Sequence, residues 1–596
     1  MSFFFKSFLL SSFLIFVNIT LNAQQVNLNN LFLSENIRFN QLGFYPNAQK
    51  IAVVSADSLT KFEIITAKEN KIVFSGNLQP STNVALNGKK TLIANFSDFT
   101  KPGDYIIYIP DMGYSYQFSI KNDVFADLAK GTVKAFYYQR ASMALPEKYA
   151  GPWFRNAGHP DNKVLIHPSA ATEKKPTGTI ISAPRGWYDA GDYNKYIVNS
   201  GITTGTLLSL YEDFPSYVKK INLNIPESSN KVPDELDEIL WNVRWMLCMQ
   251  DQDDGGVYNK LTNAFFDGMV MPEITKLPRY VVQKGTSATL DFAAVTAQAS
   301  RIFRKYETQL PGLSDSCLNA AKKAWDWAIK NPSMSYDQNS MNNKYEPKIT
   351  TGGYGDRNFT DEFIWAAIEL YLTTQNEKYY TAVNILPDER MPLPSWNNVR
   401  LLGYYSLLRN EAALKNNQKT DAEIIKKRLL KMANDFIEGA SSTAYQTVMG
   451  KTNRDFGWGS NANAANQGIV LIQAYQITKD KKYLDHALSN LDYLLGRNAT
   501  GFSYVTGFGS KTPMFPHHRP SAADRIKEPV PGFLVGGPNP GKQDGVALPS
   551  MVADEAYTDS MNSYAANEIA INWNAPLVYL VNAIQALQYE CGYSKN

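Results

Sequence analysis

The sequence predicts a two-part chain: a small N-terminal β-sandwich followed by a large all-α domain. At 596 residues the chain is too long for one compact unit, since domains run to roughly 100–200 residues. Across residues 36–121 short β-type runs alternate with turn residues, and after Asp123 the apolar residues fall at i, i+3 and i+4, the helical period. Apolar residues make up 44% and charged residues 19%, so a large core can form and global disorder is excluded.

The β-type runs are 51–54, 62–66, 71–74, 91–96, 105–109 and 114–120, separated by Asn87-Gly88, Pro102-Gly103 and Asp111-Met112-Gly113. Regularly spaced short strands with such turns suit a sandwich. Helical periodicity covers 125–140, 201–211, 234–250, 287–306, 314–330, 361–374, 397–409, 421–438, 467–478, 481–495 and 567–590. Pro233 marks a helix start and Gly496 a stop. Eleven or twelve helices with few strands between them fit a toroid of helix pairs or a solenoid. No repeat of fixed period is visible, which favours the toroid. Segments 151–197, 251–285 and 496–565 are rich in Gly, Pro, Asp and aromatics and read as long loops, where function concentrates. Cys248, in an apolar helical run, reads as buried.

Net charge is +3 with no basic stripe, which argues against nucleic acid as a partner. Three cysteines without a CxxC pair argue against a cysteine–zinc cluster or a disulfide framework. Lys6, the apolar run 8–17 and the small residue Ala23 read as a signal peptide over residues 1–23, too short to span a bilayer. No cysteine follows for a lipid anchor, so a secreted or periplasmic protein is expected, with no membrane span. Aromatics reach 12%, with 34 Tyr and 10 Trp, which suits either a Tyr-rich core or a surface that stacks sugar rings.

Three segments carry chemistry. In Gly186-Trp187-Tyr188-Asp189-Ala190-Gly191-Asp192-Tyr193-Asn194-Lys195-Tyr196 two carboxylates stand three apart beside glycine and among aromatics. One carboxylate can activate a water and the other hold it, although turns and calcium loops share the pattern. In Tyr564-Ala565-Ala566-Asn567-Glu568-Ile569-Ala570-Ile571-Asn572-Trp573-Asn574-Ala575 a single acid, Glu568, is set in apolar surroundings. Desolvation would keep it protonated and fit to act as a general acid; the plainer alternative is the exposed face of an amphipathic helix. In Ser503-Tyr504-Val505-Thr506-Gly507-Phe508-Gly509-Ser510-Lys511 and the following Pro516-His517-His518-Arg519, two of only five histidines adjoin an arginine. These can donate hydrogen bonds to sugar hydroxyls, and they lack the HExxH spacing of zinc sites.

Together these segments resemble glycoside hydrolase family 9, the endoglucanase/cellulase type. Gly509-x-Lys511, Pro516, His517 and Arg519 fit its first signature; Asp559, Tyr564, Glu568, Ala570, Asn574 and Ala575 fit its second; Asp189-Ala190-Gly191-Asp192 is similar to its base motif. Residues 36–121, with Asn40-Gln41-Leu42-Gly43-Phe44 and Pro102-Gly103-Asp104-Tyr105, resemble the immunoglobulin-like domain that precedes the catalytic domain in one branch of the family. The resemblance implies an immunoglobulin-like β-sandwich over 36–121, an (α/α)6 barrel over 122–596, and inverting hydrolysis of β-1,4-glucosidic bonds in glucans. It also implies Asp192 as general base, Glu568 as general acid, Asp189 as assistant and Asp559 in support. His517 and Arg519 match substrate contacts, and Trp458, Trp396 and Trp573 match stacking positions, with Trp573 standing where many members have Tyr.

The Gly355-Asp356-x-x-x-x-Asp361-Glu362 segment resembles a structural calcium site, making Asp356, Asp361 and Glu362 candidate Ca²⁺ ligands; helix capping by Thr360 and Asp361 is the alternative. The loop before the base motif holds His159 and His167 without cysteine, so zinc is not expected, nor is an organic cofactor. The expected partner is a β-glucan polysaccharide or oligosaccharide, bound by a monomer. Two other readings stay open. One is an exo-acting member acting on cello-oligosaccharides or glucosamine oligomers, with segments 151–184 and 520–549 closing one end of the cleft. The other is a non-catalytic glycan-binding protein.

Overall fold

The computed structural model describes residues 25–28 and 31–595; the predicted signal peptide at 1–23 lies outside them. The N-terminal part is a sandwich of nine strands: β1 Ile37–Arg38, β2 Gly43–Phe44, β3 Ile51–Val54, β4 Lys61–Thr66, β5 Ile72–Asn77, β6 Gln79–Pro80, β7 Leu92–Asn95, β8 Gly103–Ile109 and β9 Gly113–Ile120. One sheet has the order β1-β3-β7-β6 and the other β2-β9-β8-β4-β5. Period-2 alternation sends Phe62, Ile64, Ile107, Phe118 and Ile120 inward. There they meet Phe44 and Phe96, which pack edge-to-face at 5.3 Å.

The C-terminal part is a double ring of helices: α1 Ala126–Tyr138, α2 Ile197–Asp213, α3 Asp234–Cys248, α4 Thr286–Phe303, α5 Leu313–Lys330, α6 Thr360–Thr374, α7 Glu377–Tyr380, α8 Arg400–Arg409, α9 Asn416–Ile437, α10 Ser460–Thr478, α11 Lys481–Leu494 and α12 Ile571–Leu587. Even-numbered helices form the inner ring, with α12, α2, α4, α6 and α8 packed in succession and α10 against α12. Odd-numbered helices lie outside: α1 on α12, α3 on α2, α5 on α4, α7 on α6, and α9 and α11 on α10. Helix α5 buries one stripe, including Cys317, Ala320, Ala321, Ala324, Trp325 and Ala328. Helix α2 is buried from Ile197 to Tyr211. One-sided burial marks an outer helix, burial all round an inner one.

Three expectations need correction. Segments 151–197 and 251–285 are not wholly loop. They pair into a five-stranded sheet of order β11-β10-β14-β13-β12, built from β10 Val164–Ile166, β11 Ile180–Ile181, β12 Lys195–Tyr196, β13 Lys260–Thr262 and β14 Tyr280–Val281. Strands of two or three residues are too short to show a period. Cys248 is exposed, because it falls on the outward stripe of α3 with Arg244. Residues 567–570 do not belong to the last helix. Glu568 bridges His517, Ile569 bridges Val535 and Ala570 bridges Ala190, so an apolar run that imitates a helix is extended backbone.

The segment between the two parts is short, and the Asn40-Gln41 turn is buried against the barrel. Asn40 Nδ2 donates to Asp492 at 2.7 Å and Gln41 Nε2 to the Gly501 carbonyl at 2.8 Å. The amides of Ser510 and Lys511 donate to Gln41 Oε1 at 2.9 and 2.8 Å. Tyr45 stacks on Tyr593 at 5.7 Å. Among the described residues no helix is long and apolar enough to cross a membrane.

Candidate active site

A cleft of about 860 Å³ opens at one end of the barrel. Asp189, Asp192, Trp396, Trp458, His517, Arg519, Glu568 and Trp573, all singled out in the sequence, line it. Asp559 does not, nor do Asp356, Asp361 and Glu362.

The first carboxylates sit on the turn leading into β12 and α2. Asp189 is buried; its two oxygens accept from Asn199 Nδ2 at 2.9 and 3.0 Å, and Oδ2 also from the Tyr354 hydroxyl at 3.1 Å. Burial, followed by the charge of Asp192, pushes the Asp189 carboxyl well above its usual range. Asp192 Oδ2 accepts from Asn194 Nδ2, from the Asn194 amide at 3.4 Å and from the Tyr196 hydroxyl at 3.4 Å.

Glu568 arrives from the other end of the chain. Its Oε1 accepts from the Gly191 amide at 3.2 Å. Burial, then the charge of Asp192, pushes its carboxyl well above the ordinary range. The Gly191 carbonyl in turn accepts from Arg519, from Nη1 at 2.8 Å and from the amide at 3.1 Å. A Cβ on Gly191 would lie 2.1 Å from the His517 carbonyl oxygen, so only glycine permits this crossing of backbones.

Arg519 is buried and directs Nε and Nη1 at the carbonyls of Asp267 and Gly191, and its guanidinium lies over Phe266 at 5.7 Å. His517 Nδ1 is 2.7 Å from the Met561 carbonyl, which makes Nδ1 the protonated nitrogen and leaves Nε2 as an acceptor. Asp559 accepts from the Met514 and Phe515 amides at 2.8 and 2.9 Å and from Asn567 Nδ2 at 3.0 Å. It therefore clamps the His517 loop to the strand bearing Glu568. Trp458 is 49% exposed and leans on Tyr564 at 5.8 Å; Trp396 meets Tyr354 edge-on at 5.5 Å. Tyr196, Tyr354, Phe266 and Tyr564 also line the cleft. Tyr196 and Tyr564 lie within the quoted motifs, whereas Tyr354 and Phe266 gave no pattern to detect.

Asp361 and Glu362 open α6 and are buried. Both oxygens of Glu362, Oδ1 of Asp361 and Oδ2 of Asp356 are enclosed without a hydrogen-bond partner, as are both oxygens of Asp291 on α4 and Oδ1 of Asn398. Burial and the charges of Asp361, Asp291 and Asp356 push Glu362 well above its usual range. Among the described residues no group of three or more His, Cys, Asp or Glu stands in a metal-holding arrangement. The donor set nevertheless fits Ca²⁺ in kind: hard oxygens, buried and uncommitted.

A cleft walled by aromatics and lined by the carboxyls of Asp192 and Glu568 is the arrangement of a glycoside hydrolase. Residues 125–581 match the model of glycosyl hydrolase family 9, and residues 33–114 match a cellulase N-terminal ig-like domain. The chain belongs to glycosyl hydrolase family 9. A xyloglucan-specific endo-beta-1,4-glucanase of Bacteroides ovatus is 50% identical over 552 residues, 92% of this chain and 94% of that protein. Endoglucanase D of Acetivibrio thermocellus is 34% identical over 551 residues, 91% of this chain and 82% of its own length. A solved Bacteroides ovatus family 9 structure superposes with TM-score 0.89 at 48% identity, over 93% of this chain and 100% of that one. Solved relatives of this family are (α/α)6 barrels, as the double ring of helices requires.

Proposed function

We propose that this chain is a secreted, inverting endo-β-1,4-glucanase with xyloglucan as its preferred polymer. Glu568 is the general acid and Asp192 the general base. The observation that carries this reading is the Gly191 peptide. The Gly191 N–H donates to Glu568, the next residue is Asp192, and both carboxyls line one cleft. Because Gly191 donates to Oε1, the proton of Glu568 resides on Oε2. As the C1–O bond breaks, Oε2–H gives that proton to the glycosidic oxygen. Asp192 takes a proton from the water attacking the opposite face, and Asp189 holds the same water. Trp458, Trp396 and Trp573 supply apolar faces for glucose rings.

Endo action is favoured over exo action because neither segment 151–184 nor 520–549 contributes a residue to the cleft lining. Xyloglucan follows the relative that is 50% identical. Ca²⁺, held by Asp356, Asp361 and Glu362 with Asp291, is structural: bound there, it neutralises carboxylates that burial otherwise destabilises. The test follows viscosity and reducing ends in parallel on soluble xyloglucan, mixed-linkage glucan and carboxymethyl-cellulose. Rapid viscosity loss, fastest on xyloglucan and abolished by Glu568→Gln, is expected. Release of one short product at nearly constant viscosity would overturn endo action.

A further inference from the structure

Lys260, on β13, is buried beneath the cleft and forms no ion pair among the described residues. Its Nζ donates to Gln338 Oε1 at 2.7 Å, Thr351 Oγ1 at 3.0 Å and the Gly352 carbonyl at 2.6 Å. Three acceptors match the three N–H bonds of an ammonium. Burial drives the amine well below its ordinary range, and the Asp192 carboxylate opposes that drift.

Two hydrogen-bonded routes run from Lys260 to Asp192. In the first, Lys260 holds Gly352 in place by its carbonyl, the N–H of that residue, in the preceding peptide, donates to the Tyr196 hydroxyl at 3.1 Å, and that hydroxyl donates to Asp192 Oδ2 at 3.4 Å. In the second, Thr351 Oγ1 lies 2.7 Å from Thr262 Oγ1, which donates to Asn194 Oδ1 at 3.0 Å, and Asn194 Nδ2 donates to Asp192 Oδ2. With Lys260 donating to Thr351 Oγ1, that hydroxyl's proton is left for Thr262 Oγ1, whose own proton is shared between the Asn263 carbonyl at 2.8 Å and Asn194 Oδ1 at 3.0 Å. Both routes end in a donor aimed at the same carboxylate oxygen.

We propose that Lys260 is a positioning residue for the hydrolytic reaction, the head of a buried relay through Thr351, Thr262 and Asn194 and through Gly352 and Tyr196. The relay fixes the rotamer of Asp192 by aiming two donors at Oδ2, leaving Oδ1 for the attacking water. This rests on reading Asp192 as the general base.

The titratable groups facing Asp192 are Asp189, Tyr196, Tyr354, His517 and Glu568 besides Lys260. Apart from Lys260 itself, none of these is altered in the variants Lys260→Met and Thr262→Val. The experiment measures kcat and KM on soluble xyloglucan from pH 4 to 9 for both variants, the wild type and Asp192→Asn, with melting curves for each. Lys260→Met is expected to lower kcat about 10- to 100-fold with KM within about twofold, and to move the acidic limb of kcat/KM upward by about half a pH unit or more. Thr262→Val, which breaks only the second route, should move that limb the same way by less. An unmoved acidic limb in both variants, with activity lost only in proportion to folded protein, overturns the proposal. If Lys260→Met does not fold, the limb of Thr262→Val decides alone. Asp192→Asn is expected to be inactive; activity there would overturn the base assignment itself, a result distinct from an unmoved limb.

Discussion

Buried carboxyls dominate this molecule at the scale of single residues, and their protons set its response to pH. Glu568, Asp189, Asp291, Glu362 and Glu235 are all pushed well above the ordinary carboxyl range, with burial the largest cause for each. A group whose folded pKa exceeds its unfolded value binds more protons when folded. Its contribution to stability is therefore complete below the unfolded value, near 4, and is lost as pH rises through the folded value. The apo protein is expected to melt at progressively lower temperature as pH rises from about 5 to 8. Excess Ca²⁺ should raise Tm, and more at pH 8 than at pH 5, because deprotonated Asp361 and Glu362 are the better ligands; a Tm indifferent to Ca²⁺ and to chelator across that range refutes the calcium assignment. Glu568→Gln should lower kcat by about 10²- to 10⁴-fold with the melting curve little changed, checked by initial rates beside calorimetry. The sequence reveals Asp189, Asp192 and Glu568, which stand in local motifs. It conceals Lys260, Tyr354, Asn199 and Asp291, whose roles depend on partners dozens or hundreds of residues away.

At the scale of elements, periodicity is legible in proportion to length. Helices of ten residues or more are visible as apolar stripes, whereas the two- and three-residue strands β10 to β14 leave no trace. Glu568 shows how local pattern misleads. Ile569, Ala570 and Ile571 continue the apolar spacing of α12, but Asp189 accepts the Ile571 amide at 2.8 Å and Gly536 donates to the Glu568 carbonyl at 2.9 Å. Those long-range bonds hold the segment extended and aim Glu568 across the cleft. The Asn40-Gln41 turn belongs to this scale as well. Gln41 joins three backbone groups of the segment 501–511, and each buried hydrogen bond contributes about 1 kcal/mol. Gln41→Ala should cost about 2–4 kcal/mol, read as a lower midpoint in denaturant, with kcat retained in the folded fraction.

At the scale of the whole molecule, the sandwich is fastened to the barrel by packed rings and buried hydrogen bonds. Tyr45 and Ala48 belong to the hydrophobic core of the helical part. Deleting residues 24–121 is therefore expected to lower the melting temperature and to expose apolar barrel surface to a dye such as ANS; an unchanged melting curve would contradict that coupling. The order of the parts could be read from the sequence because each has its own period. Their docking could not, because an interface is written in pairs such as Asn40 with Asp492 that no local window contains. The Gly191 peptide has a consequence at this scale. The Gly191 N–H meets Glu568, its carbonyl, in the next peptide, is pinned by Arg519, and its C-terminal neighbour is Asp192. The two carboxyls are thus tied through a single residue, two peptide planes joined at the Gly191 Cα, instead of through contacts across the diameter of the barrel. Helices can breathe with temperature while that short tether keeps the two carboxyls neighbours.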